Sequence, residues 1–98
     1  MTSPPFWLAL PMLFEHGQVY WTDRAHEELM NEEVSVALGR HVRGNWGLVG
    51  DEVAEQNDRC IRSGHQILSC WKSPSGQRYW LRTNAERTET TVFLAEEY

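Results

Sequence analysis

The side chains able to do chemistry in this 98-residue chain are few and scattered. His16, His26, His41 and His65 form no i,i+4 pair and keep no zinc-type spacing with a cysteine, so no metal site is expected. No Gly-x-Ser-x-Gly elbow is present. Cys60 and Cys70 lie ten apart without a CxxC, which reads as two reduced thiols in a cytoplasmic protein rather than a disulfide framework. A nucleophilic cysteine also needs an electropositive, partly exposed setting, which spacing alone does not supply. Ser3-Pro4-Pro5-Phe6-Trp7 fits the loose Pro-Pro-aromatic signature of amino-methyltransferases. That loop must follow a strand of a large cofactor domain, and only two residues precede it here. Catalytic residues and a cofactor are therefore not expected.

Binding chemistry is better represented. Fourteen Asp and Glu against nine Lys and Arg give a formal charge of −5, which argues against a protein whose main work is clamping phosphate backbones. Lys72 is the single Lys; the other eight basic residues are Arg, whose planar guanidinium suits bidentate and stacked contacts. GC-rich coding gives the same bias. Arg78, Trp80 and Arg82 alternate within one segment and so share one face of a strand. Uncovered, they form a cation–π platform for a base, a peptide or an acidic side chain; covered by helices, Trp80 is an ordinary core residue. Burial is the favoured placement for a Trp in a central strand. Glu27, Glu28, Glu32 and Glu33, with Asp51, Glu52, Glu55 and Asp58, make an acidic patch, either a solvated helix face or a docking face for a basic partner.

These residues need elements to hold them. Gln18–Trp21 reads as a short strand. Thr22 or Asp23 caps a helix over 23–31, and Val34, Ala37, Leu38 and Val42 give a second over 33–43, stopped by Gly44. Asn45-Trp46-Gly47 is a turn, and Asp51 caps a third helix over 51–62, with Val53, Cys60 and Ile61 inward. The period then changes. Residues 65–94 read as a three-stranded antiparallel meander with Ser73–Gly76 as its first turn. Three helices on one face of this sheet, plus the short N-terminal strand at an edge, make an α+β domain over residues 14–98.

Residues 1–13 stand apart as an apolar, Pro-containing extension. It lacks the basic start and cleavage site of a signal peptide and is too short to span a bilayer. It is expected to pack on the domain or to form a partner interface, including a homodimer contact. Five tryptophans are too many for so small a core to hide, and Trp7 first, then Trp80, are the ones expected outside.

Several segments together carry a resemblance. They are Gly39-Arg40-His41-x-x-Gly44-Asn45-Trp46-Gly47, Glu52 through Gln56-Asn57-Asp58-Arg59, Ile67-Leu68-Ser69, and Trp80–Arg87 with the ending from Thr90. Over residues 14–98 the chain resembles a family of small proteins of bacterial plasmids, phages and other mobile elements. Its members are often labelled "plasmid-related protein" or "type I restriction endonuclease subunit M". The resemblance implies a mobile-element setting and carries no activity; a methyltransferase-subunit role does not fit a chain without room for the cofactor fold. It also implies structural roles for Arg40, His41, Gly44, Trp46 and Gly47, and a turn at Asn84–Arg87.

The functional expectation is a non-enzymatic, cytoplasmic mobile-element protein that binds a host protein or complex and modulates host defence, of anti-restriction or anti-CRISPR type. The alternative is a nucleic-acid-binding module using Arg78, Trp80 and Arg82, with Trp71 and Phe93 near. A third possibility is a small enzyme centred on Cys60 or Cys70. No membrane association is expected.

Overall fold

The computed structural model describes residues 5–97. After a 3-10 turn at Phe6–Ala9, the chain forms β1 (Gln18–Trp21), α1 (Asp23–Glu28), α2 (Asn31–His41) and α3 (Asp51–Ser63). It then forms β2 (Ile67–Lys72), β3 (Arg78–Thr83) and β4 (Glu89–Leu94), and closes on a 3-10 turn at Ala95–Glu97. The fold is α+β, as the periodicity indicates. Among the described residues no helix is long and apolar enough to cross a membrane.

Thr22 starts α1 because its hydroxyl oxygen accepts the Ala25 N–H (3.1 Å), which satisfies one orphan donor of the first turn. The helix ends at Glu28, short of the expected 31. Leu29 turns extended (φ −113°, ψ 150°) and drops its side chain into the core, so α2 can begin at Asn31. Gly50, not Asp51, is the N-cap of α3, which leaves Asp51 in the first turn beside the positive helix end.

The sheet departs from a purely antiparallel arrangement. β2, β3 and β4 form the expected meander, with Leu81 opposite both Ser69 and Val92. β1 adds to β4 in parallel, giving the order β1-β4-β3-β2 and a mixed sheet. A parallel neighbour requires a long crossover, and the three intervening helices supply it.

Ala25, Leu29, Val34 and Ala37 of the α1–α2 layer pack on Tyr79, Leu81, Val92 and Leu94. A second cluster joins Phe14, Val42, Trp46, Cys60 and Ile67. The helices thus cover the Tyr79/Leu81/Thr83 face of β3. α3 serves the β2 edge. There the Asn57 amide donates to the Leu68 carbonyl (2.7 Å) and accepts the Leu68 N–H (3.3 Å), as a neighbouring strand would. Two residues on, the Leu48 N–H donates to the Cys70 carbonyl (2.8 Å) and the Cys70 N–H to the Trp46 carbonyl (3.2 Å). The edge is closed against further pairing. Asn57→Leu keeps the side-chain size but orphans both Leu68 groups. It is expected to cost about 2–4 kcal/mol in denaturant unfolding and to speed amide exchange at Leu68.

Candidate functional site

Among the described residues no α-helix packs on the outer face of the sheet. Cross-strand register places Lys72 beside Arg78, Cys70 beside Trp80 and Phe93, and Leu68 beside Arg82, Thr91 and Tyr20 on that side. Trp80 therefore does not lie beneath the helices, contrary to the favoured placement: it stands half-buried between the two arginines. The reason is electrostatic. Burying that face would take two guanidinium groups out of water without partners, whereas the opposite face offers Tyr79, Leu81 and Thr83. Trp71 was expected near this platform, but it pairs with Tyr79 and faces the helices.

The guanidinium of Arg82 lies over the Phe93 ring, 4.9 Å from its centroid, and leaves that ring buried although it faces outward. Beside them Thr22, Arg82, Thr91, Phe93 and Glu97 line an open groove of about 330 Å³. Glu97 is fixed at its rim, accepting from the Leu94 N–H and the Thr22 hydroxyl (2.8 Å each). Those bonds hold its carboxyl below the usual range, the Leu94 N–H contributing most. Arg78 and Lys72 stay exposed at the far end.

Charge is divided between the two layers. Nine of the fourteen acidic residues lie on helices: three on α1, two on α2 and four on α3. Glu27, Glu28 and Glu32 are exposed, and Glu33 is half-buried, its carboxylate accepting the Met30 N–H (3.4 Å). Glu28 pairs with Arg24 (3.4 Å), which also binds Glu96. Glu27, Glu28, Glu32 and Glu33 are thus on the helical layer, away from Arg78, Trp80 and Arg82. Trp7, expected to be the most exposed tryptophan, is half-buried against Gly39 between Arg40 and Arg43.

The Arg40–Gly47 motif builds the interior. Trp46 is buried and donates its Nε1–H to Asp58 (3.0 Å). His41 is buried between Phe14 and Trp46, with both ring nitrogens bonded: Nδ1 to Ser69 (2.6 Å) and Nε2 to Thr83 (2.8 Å). The direction of this chain of bonds is set at its ends. Trp71 Nε1–H donates to Ser69 Oγ (2.7 Å), and the Thr90 hydroxyl donates to the His16 carbonyl (2.8 Å). Thr90 must then accept from Thr83 (2.7 Å), and Thr83 from His41 Nε2–H, so Nδ1 accepts from Ser69. His41 is the neutral Nε2–H tautomer. Burial drives its pKa down to about 3, with the charges of His16 and Arg87 adding to the effect.

Arg87 is more than the turn residue that the resemblance implies. Its guanidinium donates to the carbonyls of His65 (2.7 Å), Asn84 (2.9 Å) and Cys60 (2.7 Å), tying the β3–β4 turn to the end of α3. Asn57 did leave a signal: it sits at i+4 from Val53 in the inward stripe of α3, where a polar residue requires a partner. Cys60 and Cys70 are buried free thiols. Burial pushes the Cys70 thiol up, against a weaker pull from Arg78, the reverse of what a nucleophile needs. Among the described residues no three His, Cys, Asp or Glu side chains gather as metal ligands.

No family model, curated protein or solved structure matches this chain.

Proposed function

We propose that this is a small, non-enzymatic binding module whose contact surface is the open sheet face, and that its partner is a protein presenting acidic side chains. The observation that carries the reading is the row Arg78, Trp80, Arg82 on the face the helices leave uncovered. Arg side chains supply bidentate carboxylate recognition, and the Trp supplies flat apolar area that loses little conformational entropy on binding. A net charge of −5 repels a long polyanion at a distance but leaves a short acidic segment free to dock on the two arginines. In the mobile-element setting that the resemblance implies, the partner would be a host defence protein, a restriction or CRISPR effector being the concrete case.

Single-stranded nucleic acid is the second reading. An aromatic flanked by guanidinium groups on an exposed sheet is also a stacking platform for bases. Capture from host lysate distinguishes the two. Wild-type bait is expected to retain a protein that nuclease treatment does not release and that the triple variant Arg78→Ser, Trp80→Ala, Arg82→Ser fails to retain. Capture abolished by nuclease supports the nucleic-acid reading. Equal capture by both baits removes the sheet face from the account.

A further inference from the structure

We propose that a second copy of this chain covers the outer side of α2, the two helices packing antiparallel about a two-fold axis at Val36. Segment 5–13 is laid over the C-terminal half of this helix. The Leu13 N–H donates to the Val42 carbonyl (2.7 Å), Arg43 Nε–H donates to the Leu10 carbonyl (3.0 Å), and the Trp7 ring rests on Gly39. The other apolar side chains of the segment remain in water: Phe6 is 84% exposed, and Leu8, Leu10, Met12 and Leu13 are each about half exposed. Val36, on the helix beside them, is 43% exposed. So many large apolar groups in one short stretch mark a protein contact surface rather than a solvated one.

Charge selects the occupant. Glu32, Val36 and Arg40 follow one another at i, i+4 and i+8, so they line one side of α2. Among the described residues neither Glu32 nor Arg40 has an ion-pair partner in its own chain; Arg40 stacks on Trp7 instead. Antiparallel pairing about Val36 sets each residue against the one equally far on the other side of that centre. Val36 then meets the partner's Val36, Arg40 meets the partner's Glu32, and Glu32 meets the partner's Arg40. The stripe is complementary to itself, as an isologous two-fold contact requires. The same operation carries Phe6–Ala9 towards the N-terminal half of the partner's helix. A groove of about 290 Å³ runs along the helix from Glu33 past Val36 to Arg40, walled on its other side by Trp71, Lys72 and Pro74. This surface is on the helical layer, so its failure leaves the sheet-face reading standing.

Sedimentation equilibrium of the full chain tests the pairing. Wild type is expected to be a dimer, and Val36→Asp to weaken it by roughly tenfold or more in dissociation constant, with the circular dichroism unchanged. Glu32→Arg alone and Arg40→Glu alone each place like charges together at both contacts and are expected to be monomeric at concentrations where wild type is dimeric. Mixed together they restore opposite charges at both contacts and are expected to form a heterodimer. A monomeric wild type, full dimerisation of the single variants, or failure of the mixture to associate would each overturn the proposal.

Discussion

Acidification from neutral pH is expected to unfold this protein through a single buried side chain, His41. The folded ring, held neutral between Ser69 and Thr83, has a pKa of about 3, while the unfolded chain takes up the proton near 6.5. Between those values the unfolded state binds more protons than the folded one, so stability is intact above pH 6.5 and falls as the pH drops. The slope approaches about 1.4 kcal/mol per pH unit, and the loss over the whole window reaches about 5 kcal/mol, comparable to the entire stability of a small domain. Urea unfolding at successive pH values reads the slope. Nitrogen chemical shifts of the ring read its cause: His41 should stay the Nε2–H tautomer throughout the folded range. A His41 that titrates near 6.5 in the folded protein would refute the buried relay.

Gly47→Ala is expected to cost more than about 3 kcal/mol. The left-handed conformation of Gly47 (φ 69°) disfavours a side chain by about 1–2 kcal/mol on its own. The larger part is steric, because a Cβ there would stand 2.1 Å from the Cys70 carbonyl oxygen, where the 46–48 segment bridges β2. Backbone cannot yield as a flexible side chain would, so the bridge that closes the sheet edge must open. Gly64, the C-cap of α3, is the control. Its φ is 74°, yet nothing lies within 4 Å of its missing Cβ, so Gly64→Ala should cost only the conformational share. Parallel denaturant curves for the two variants separate strain from collision. Equal losses would contradict the bridge.

The elements were legible because their signals are local. The Gln18–Trp21 strand, Thr22 as a cap, the Val34/Ala37/Val42 stripe and the 65–94 meander follow from propensity and period, which neighbouring residues carry. The partner of β1 was not legible, since parallel pairing to β4 depends on how three helices cross the sheet, a property of the whole chain. The covered face was legible in principle. Two arginines flanking Trp80 outweigh the habit of burying a tryptophan, and Thr83 inward is acceptable once His41 meets it. His41 itself looked like an isolated histidine because Ser69, Thr83 and Thr90 come to it from three different strands. The sheet-face platform was visible as an alternation in Arg78–Arg82, but Phe93 beneath Arg82 required the strand register.

Photocrosslinking from the sheet face tests the central claim most directly. A benzophenone side chain at position 80 would sit in the middle of the proposed contact surface, while the same group in place of Glu55, exposed on α3, serves as the distant control. In host lysate, position 80 is expected to yield a discrete protein adduct, resistant to nuclease and suppressed when Arg78 and Arg82 are replaced by Ser, with none from position 55. Adducts from position 55 but not from position 80 would contradict the assignment of the open sheet face as the binding surface.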